Sequence, residues 1–406
     1  MPRDDTVGAA IRPILKIEPG LLDVIVTEAE RAIMAAGLPV YQRGRRLVRP
    51  ASQEVVVSNG RHTVAACFSE LTAPAALDFL SRAADWVRYD GRKKADAPID
   101  PPRAIADVLL SRFGDWRFPH VSGIITCPTL RPDFSILCEP GYDVATRLYL
   151  AIDPSLQMPQ IPAFPTREDA LQALQILDAL LDGFPFVSPI DRSVALSALL
   201  TPICRGAMSV APLHAFRAKT AGTGKSYLGD TASAIATGRP CPVAAAGRDA
   251  DEVDKRLVGL LLAGFPILCI DNINGELGSD LLCQAVERPV IRLRRLGASD
   301  ISELEARATL FASGNGLRVR GDMTRRTLVC DLDAQLERPE LRTFVFDPVE
   351  RVLADRGRYV GAALTLVRAF VTSGAQADMP PLASYGDYSA TVRGALVWLG
   401  KSDPAL

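Results

Sequence analysis

Residues 213–236 constrain this chain more than any other stretch. An apolar run, Leu213-His-Ala-Phe-Arg-Ala218, leads into a loop holding Gly222 and Gly224. Lys225-Ser226 follow at once, and then a helix-like run to Ala236. Small residues between a strand and a helix let backbone N–H groups approach phosphate, and the helix start adds the positive end of its dipole. Lys225 is placed to reach β- and γ-phosphates, and the Ser226 hydroxyl to hold Mg²⁺. Ala221, Gly222, Thr223, Gly224, Lys225, Ser226 and Tyr227 are therefore the expected nucleotide-binding residues, with ATP and Mg²⁺ as cofactors. The strict pattern G-x-x-x-x-G-K-[ST] wants glycine at 219 and this chain has Lys219; Ala218 or Ala221 could support the turn, but the match fails at that one position.

About 45 residues on, Phe265-Pro-Ile-Leu-Cys-Ile270 runs into Asp271-Asn272. A short apolar run ending in Asp describes a buried strand with a carboxylate at its C-terminal tip, where open α/β sheets bind ligands. Asp271 is expected to order Mg²⁺, directly or through water. Asn272 stands where many such sites carry a glutamate base. Asn cannot take a proton, so the base is either elsewhere or replaced by water positioning. A third apolar run, Ala308–Ala312, ends in Ser-Gly-Asn315-Gly, which puts Asn315 at a strand tip as a sensor of the γ-phosphate or the attacking water. Arg325 and Arg326 precede a last strand, Thr327–Leu332, and suit an arginine finger for a neighbouring subunit's γ-phosphate.

Between these strands, Val290, Arg292 and Arg294 alternate with Ile291, Leu293 and Arg295, and Gly297-Ala-Ser suit a turn. This predicts a β-hairpin with one basic face. A ring of such hairpins, each carrying Arg292, Arg294 and Arg295, concentrates positive charge for a nucleic-acid backbone. That matters because the chain as a whole is almost neutral, with 46 Lys+Arg against 47 Asp+Glu. A uniformly basic coat is excluded; a local basic element is not. Only seven of those cations are Lys.

With 48% hydrophobic and 23% charged residues the chain is globular rather than disordered. No apolar stretch reaches ~18 residues, so no membrane span is expected. The N-terminus lacks an apolar core, so no secretory signal is expected. The eight Cys show no C-x-x-C spacing and the three His stand apart from them, which speaks against zinc and for free thiols in a cytoplasmic protein.

Three regions are expected. Residues 1–165 form an α+β N-terminal region that organises DNA, a partner or an oligomer. It has helical periodicity over Leu21–Ala35, a hairpin turning at Gly44, helices over 75–88 and 101–112, and two strands, 123–127 and 134–138, joined at Pro132-Asp133. Prolines 154, 159, 162 and 165 mark a linker. Residues 166–346 alternate helices and short apolar strands, as a three-layer α/β ATPase core does, with Thr166 as a helix cap. Residues 347–406 form a helical C-terminal segment.

The order Gly-Thr-Gly-Lys-Ser, Ile-Asp-Asn, hairpin, Ser-Gly-Asn and Gly-Asp-Met-Thr-Arg-Arg resembles the AAA+-type P-loop ATPase of phage and mobile-element primase-helicases, close to superfamily 3 helicases. The run Arg320–Phe344 is especially similar, as are Thr129–Asp133 with Glu139–Asp143 and Val392–Gly400. The resemblance spans about residues 120–400. It implies a homo-hexameric ring, ATP hydrolysis between subunits, translocation on single-stranded or forked DNA by hairpins in the pore, and a primase or replication initiator as partner. Lys225, Asp271, Asn272, Asn315, Arg325 and Arg326 are then the catalytic candidates. Residues 1–120 hold no acidic triad for two-metal nucleotidyl transfer. Besides a DNA helicase or translocase motor, two other readings stay open: an AAA+ switch or loader that controls assembly without unwinding, and a P-loop small-molecule kinase. ATP binding without hydrolysis is a further variant, given Asn272.

Overall fold

The computed structural model describes residues 12–245, 250–294 and 301–406. It divides into two units: residues 1–50 with 68–121, and residues 51–67 with 122–406.

The first unit is α+β. Strands Ile14–Ile17 and Asp85–Asp90 pair in parallel, and Ala95–Ile99 closes the sheet antiparallel. Helices Leu22–Ala35, Ala73–Ala83 and Arg103–Ser111 bury Val26, Ile33, Leu80, Ile105 and Leu109 with Trp86 of the sheet. Those apolar residues recur at three- and four-residue spacing, which is why each helix has one inward face. The expected helix over 75–88 ends at Ala83, because Asp85–Asp90 continues as a strand. The hairpin at Gly44 forms with Gly44 and Arg45 both at positive φ, as a two-residue turn between twisted strands requires.

The second unit is built on five parallel strands: β1 (Leu213–Ala218), β2 (Val243–Ala245), β3 (Ile267–Asp271), β4 (Thr309–Asn315) and β5 (Thr327–Leu332), in the order β2-β3-β4-β1-β5. Alternation along the strands sends successive side chains to opposite faces. Phe216, Ile267, Cys269, Phe311 and Cys330 enter one apolar cluster with helices Arg167–Asp178, Pro189–Leu200, Lys225–Thr237 and Arg356–Ser373. Leu213, Ala215, Leu268, Ile270, Leu310 and Ala312 enter a second, with helices Ala250–Ala263 and Asp280–Glu287. Both faces of the sheet are covered, and a parallel sheet needs that.

Thr166 caps its helix as expected, accepting from the Asp169 N–H while the Asp169 carboxylate accepts from the Thr166 N–H. Residues 122–165 belong to the second unit, with the division falling near 121. The proline-rich stretch packs closely within that unit. A Cβ on Gly357 would lie 1.7 Å from the Gln157 carbonyl oxygen, and one on Gly361 would lie 2.5 Å from the Pro159 ring. The helices after 347 share the same apolar cluster as the sheet. The two strands expected to pair across Pro132 do not. Gly123–Ile125 pairs with Leu148–Leu150, and Ile136–Leu137 pairs with Thr129–Leu130.

Candidate functional site

The chain leaving β1 crosses to the edge strand β2, while the chain leaving β4 crosses the other way to β5. Two adjacent strands whose connections depart in opposite directions leave a crevice at their C-terminal ends. The residues at that crevice are the loop after Ala218 and Asn315, which are direct register partners.

The loop turns through Gly222 (φ 75°) and Gly224 (φ 102°) into helix Lys225–Thr237. Gly224 caps that helix without a side chain, so its first N–H groups face the cleft uncapped by the protein's own oxygens. Lys225 is buried at the start of that helix. Its Nζ donates to the Thr220 carbonyl at 3.1 Å and to Thr223 Oγ1 at 3.3 Å. Burial lowers its pKa from the ordinary lysine value, opposed by the nearby Asp271 charge. Lys219, where glycine was wanted, is 90% exposed and 3.9 Å from the Asp333 carboxylate. It extends away from the turn, which Gly222 and Gly224 make without help at 219.

Asp271 lies at the tip of β3. Its Oδ1 accepts from Ser226 Oγ at 3.1 Å, from the Asn272 N–H at 2.9 Å and from Ser313 Oγ. Asn272 adopts φ 62°, a left-handed conformation that Asn tolerates better than most residues. Asn315 contributes a buried Oδ1 without a hydrogen-bond partner, a group that costs free energy unless a ligand or water meets it. The oxygens of Ser226, Asp271 and Ser313 form a hard donor set with one carboxylate. That suits Mg²⁺, which takes one or two carboxylates and completes its shell with phosphates and water. Among the described residues no cluster of three His, Cys, Asp or Glu side chains forms a self-sufficient metal site.

The cleft beside the loop encloses about 1010 Å³. Lys225, Ser226 and Tyr227 line one side, Phe184 another, and the segment Arg342–Pro348 a third. Tyr227 is tied down by its hydroxyl donating to Asp347. Asp230, one helical turn beyond Ser226, is buried in the same wall. It accepts from Ser58 Oγ at 2.9 Å and from the Cys241 N–H at 2.9 Å, and burial raises its pKa. Sequence reasoning missed Ser58, Asp230, Ser313 and the 338–347 segment. Only Ser313 left a readable signal, since it lies two residues before Asn315 on the same side of β4.

The arginine candidates divide. Arg325 has a 60% exposed side chain, 3.6 Å from the Asp322 carboxylate. Arg326 is 5% exposed. Its Nε donates to Glu287 Oε2 at 2.9 Å and its Nη1 to the Asp322 carbonyl at 2.5 Å. The expected hairpin is present: Val290–Arg294 pairs antiparallel with Ile301–Glu305. Ile291 and Leu293 are buried, and Arg292 is exposed on the opposite face, with its Nε donating to Glu303 Oε1 at 2.9 Å. Arg294 closes the first strand; Arg295 and the turn lie outside the described residues.

No family model matches this chain, and no curated protein matches it. Among solved structures it is similar to "The A form apo structure of NrS-1 C terminal region-CTR", with 11% identity and a TM-score of 0.37, covering 83% of this chain and 68% of that one. A second structure, "The A form apo structure of NrS-1 C terminal region-CTR(305-718)", gives 11% identity and a TM-score of 0.39, with 82% and 68% covered. A structure of JCV Helicase bound to a small molecule gives 11% identity and a TM-score of 0.24, with 55% and 66% covered.

Proposed function

We propose that this chain is an ATP-hydrolysing motor of helicase type, acting on DNA as a homo-hexamer in the replication of a phage or mobile element. The observation that carries the reading is the convergence of a glycine loop, Lys225, Ser226, Asp271 and Asn315 at the switch point of a parallel sheet. In this reading Lys225 exchanges the Thr220 and Thr223 oxygens for phosphate oxygens. The N–H groups after Gly224 hold the phosphates from beneath. Ser226 and Asp271 would hold Mg²⁺, which when bound neutralises charge on the phosphate oxygens. Asn315 orients the γ-phosphate by donating from its amide nitrogen, or the attacking water by accepting through its unpartnered carboxamide oxygen. Arg325 reaches a neighbouring subunit's γ-phosphate, and the basic hairpin contacts the DNA backbone.

Asn272 favours a second reading, a switch or loader that hydrolyses slowly and ignores DNA, because no carboxylate follows Asp271. Steady-state ATPase with and without single-stranded and forked DNA separates the two. A motor shows DNA-stimulated turnover and strand separation, both lost in Lys225→Ala with DNA binding kept. Turnover indifferent to DNA refutes the motor.

A further inference from the structure

The segment after β5 returns to the phosphate loop and is seated on it closely. A Cβ on Gly222 would lie 2.9 Å from Glu340 Cβ and 3.0 Å from the Glu340 backbone nitrogen. Position 222 is therefore glycine for two reasons, its positive φ and the strap lying across it. Glu340 itself is paired with Arg338 at 3.0 Å. Two residues on, Arg342 reaches over the loop. Its Nη2 donates to the Thr223 carbonyl at 3.2 Å, its Nη1 to the Gly183 carbonyl at 3.5 Å, and its Nε to the Pro339 carbonyl at 3.4 Å. The guanidinium sits 4.9 Å over the Phe344 ring, and that ring lies against Gly183.

Every one of these acceptors is neutral, and the bonds are long. Among the described residues Arg342 has no carboxylate partner, and burial alone lowers its pKa. A half-buried cation without a counterion is costly unless an anion arrives. The anion that the adjacent loop is built for is phosphate, and a guanidinium fork matches phosphate oxygens better than any other side chain.

We infer that Arg342 is a phosphate-binding residue of the nucleotide site, delivered by the 338–344 strap of the same chain and not by a neighbouring subunit. The inference rests on the nucleotide-binding reading above. It sets Arg342 apart from Arg325: one acts within its own chain on binding, the other across an interface on turnover.

The test is equilibrium titration of the full chain, with Mg²⁺, using ATP carrying a fluorescent ribose label, followed by competition with tripolyphosphate. Thermal midpoints are recorded for each variant. Arg342→Ala should weaken labelled ATP by about 10–100-fold, the size expected for charge-assisted hydrogen bonds to phosphate. Tripolyphosphate competition should weaken in parallel. Arg342→Lys should recover part of the loss. Arg342→Gln keeps donors for the Thr223 and Gly183 carbonyls without the charge, and should behave like Arg342→Ala with an unchanged midpoint. Affinity within twofold of the parent in Arg342→Gln overturns the inference. So does weakened ATP binding with tripolyphosphate competition unchanged, which would place Arg342 in seating the strap only. A parent chain that binds no labelled ATP overturns the nucleotide reading itself.

Discussion

Arg325 and Arg326 are adjacent in sequence, yet removing each should have opposite consequences. Arg326 is held inside the protein by Glu287, whose side chain is 25% exposed and which also accepts from Ser384 Oγ at 2.8 Å. Breaking a buried pair by deleting one partner costs about 3–5 kcal/mol, and the partial exposure of Glu287 points to the lower end, ~3 kcal/mol. Arg326→Ala should therefore lower the unfolding midpoint of the unit that carries it. Arg326 holds the Glu287 pKa below its ordinary 4.5. A depressed carboxylate stabilises the fold above its unfolded pKa and loses that contribution as pH falls through the folded one. The deficit of Arg326→Ala should thus be full at pH 7 and shrink below about pH 4.5. Arg325 makes only a surface contact, worth about 0–1 kcal/mol, so Arg325→Ala should leave the midpoint unchanged. As a finger it should lower ATP turnover by ~10³–10⁵. Circular-dichroism unfolding and saturating ATPase rates on both variants decide it. Turnover within twofold of the parent in Arg325→Ala refutes the finger, and an unchanged midpoint in Arg326→Ala refutes the buried pair.

Further outcomes follow from other parts of the site. Lys225→Ala should abolish ATP turnover while leaving the far-ultraviolet spectrum intact, and retained turnover would show that the loop is not catalytic. Gly314→Ala puts a Cβ 2.0 Å from the Ile273 carbonyl oxygen, so the Asp271–Ile273 turn must shift, at about 1–3 kcal/mol for overpacking. A lowered midpoint with lost ATPase is expected, and wild-type values in both would contradict the close approach. Asp230 has its pKa raised by burial, so the folded state holds its proton more tightly than the unfolded chain. Its effect on stability is a loss that sets in as pH rises above about 3.8 and is complete above the folded pKa. Asp230→Asn should therefore raise the thermal midpoint at pH 7 and give no gain at pH 3; a lower midpoint at pH 7 would reverse the sign. Replacing Arg292, Arg294 and Arg295 with Ala should reduce the salt dependence of single-stranded DNA binding by about 2 in log–log slope, at roughly 0.7 per phosphate contact. An unaltered slope with DNA-stimulated ATPase intact would remove the hairpin from the DNA path.

Several features were legible because they are local. Glycines at 222 and 224 are favoured by the backbone's own sterics, since both adopt positive φ. The Thr166 cap spans three residues. The hairpin's alternation is visible in Ile291 and Leu293, which are buried, and Arg292, which is not. The proline-rich stretch was misread for the opposite reason. Proline density reports only that the stretch is neither helix nor central strand, while the contacts of Gln157 and Pro159 with Gly357 and Gly361 come from a helix 200 residues away. The first strand pairing after residue 122 was misread likewise, since proximity in sequence favoured a hairpin where the partner was Leu148–Leu150.

The amino-acid sequence by itself determined the kinds of groups available at the site: a glycine loop, one lysine, one hydroxyl, one aspartate at a strand tip, and one asparagine at the tip of the next strand of the sheet. Such groups follow from chain-local patterns, because period, turn chemistry and dipole act over a few residues. Only the tertiary structure decided their company. The strand order set Asn315 beside Ala218. Packing buried Arg326 against Glu287 and left its neighbour exposed. The return of residues 338–344 brought over Thr223 a cation that has no carboxylate partner among the described residues. These partners lie 39 to 119 residues apart, and their meeting is settled by which apolar faces the whole sheet must cover, a balance no short stretch of sequence contains.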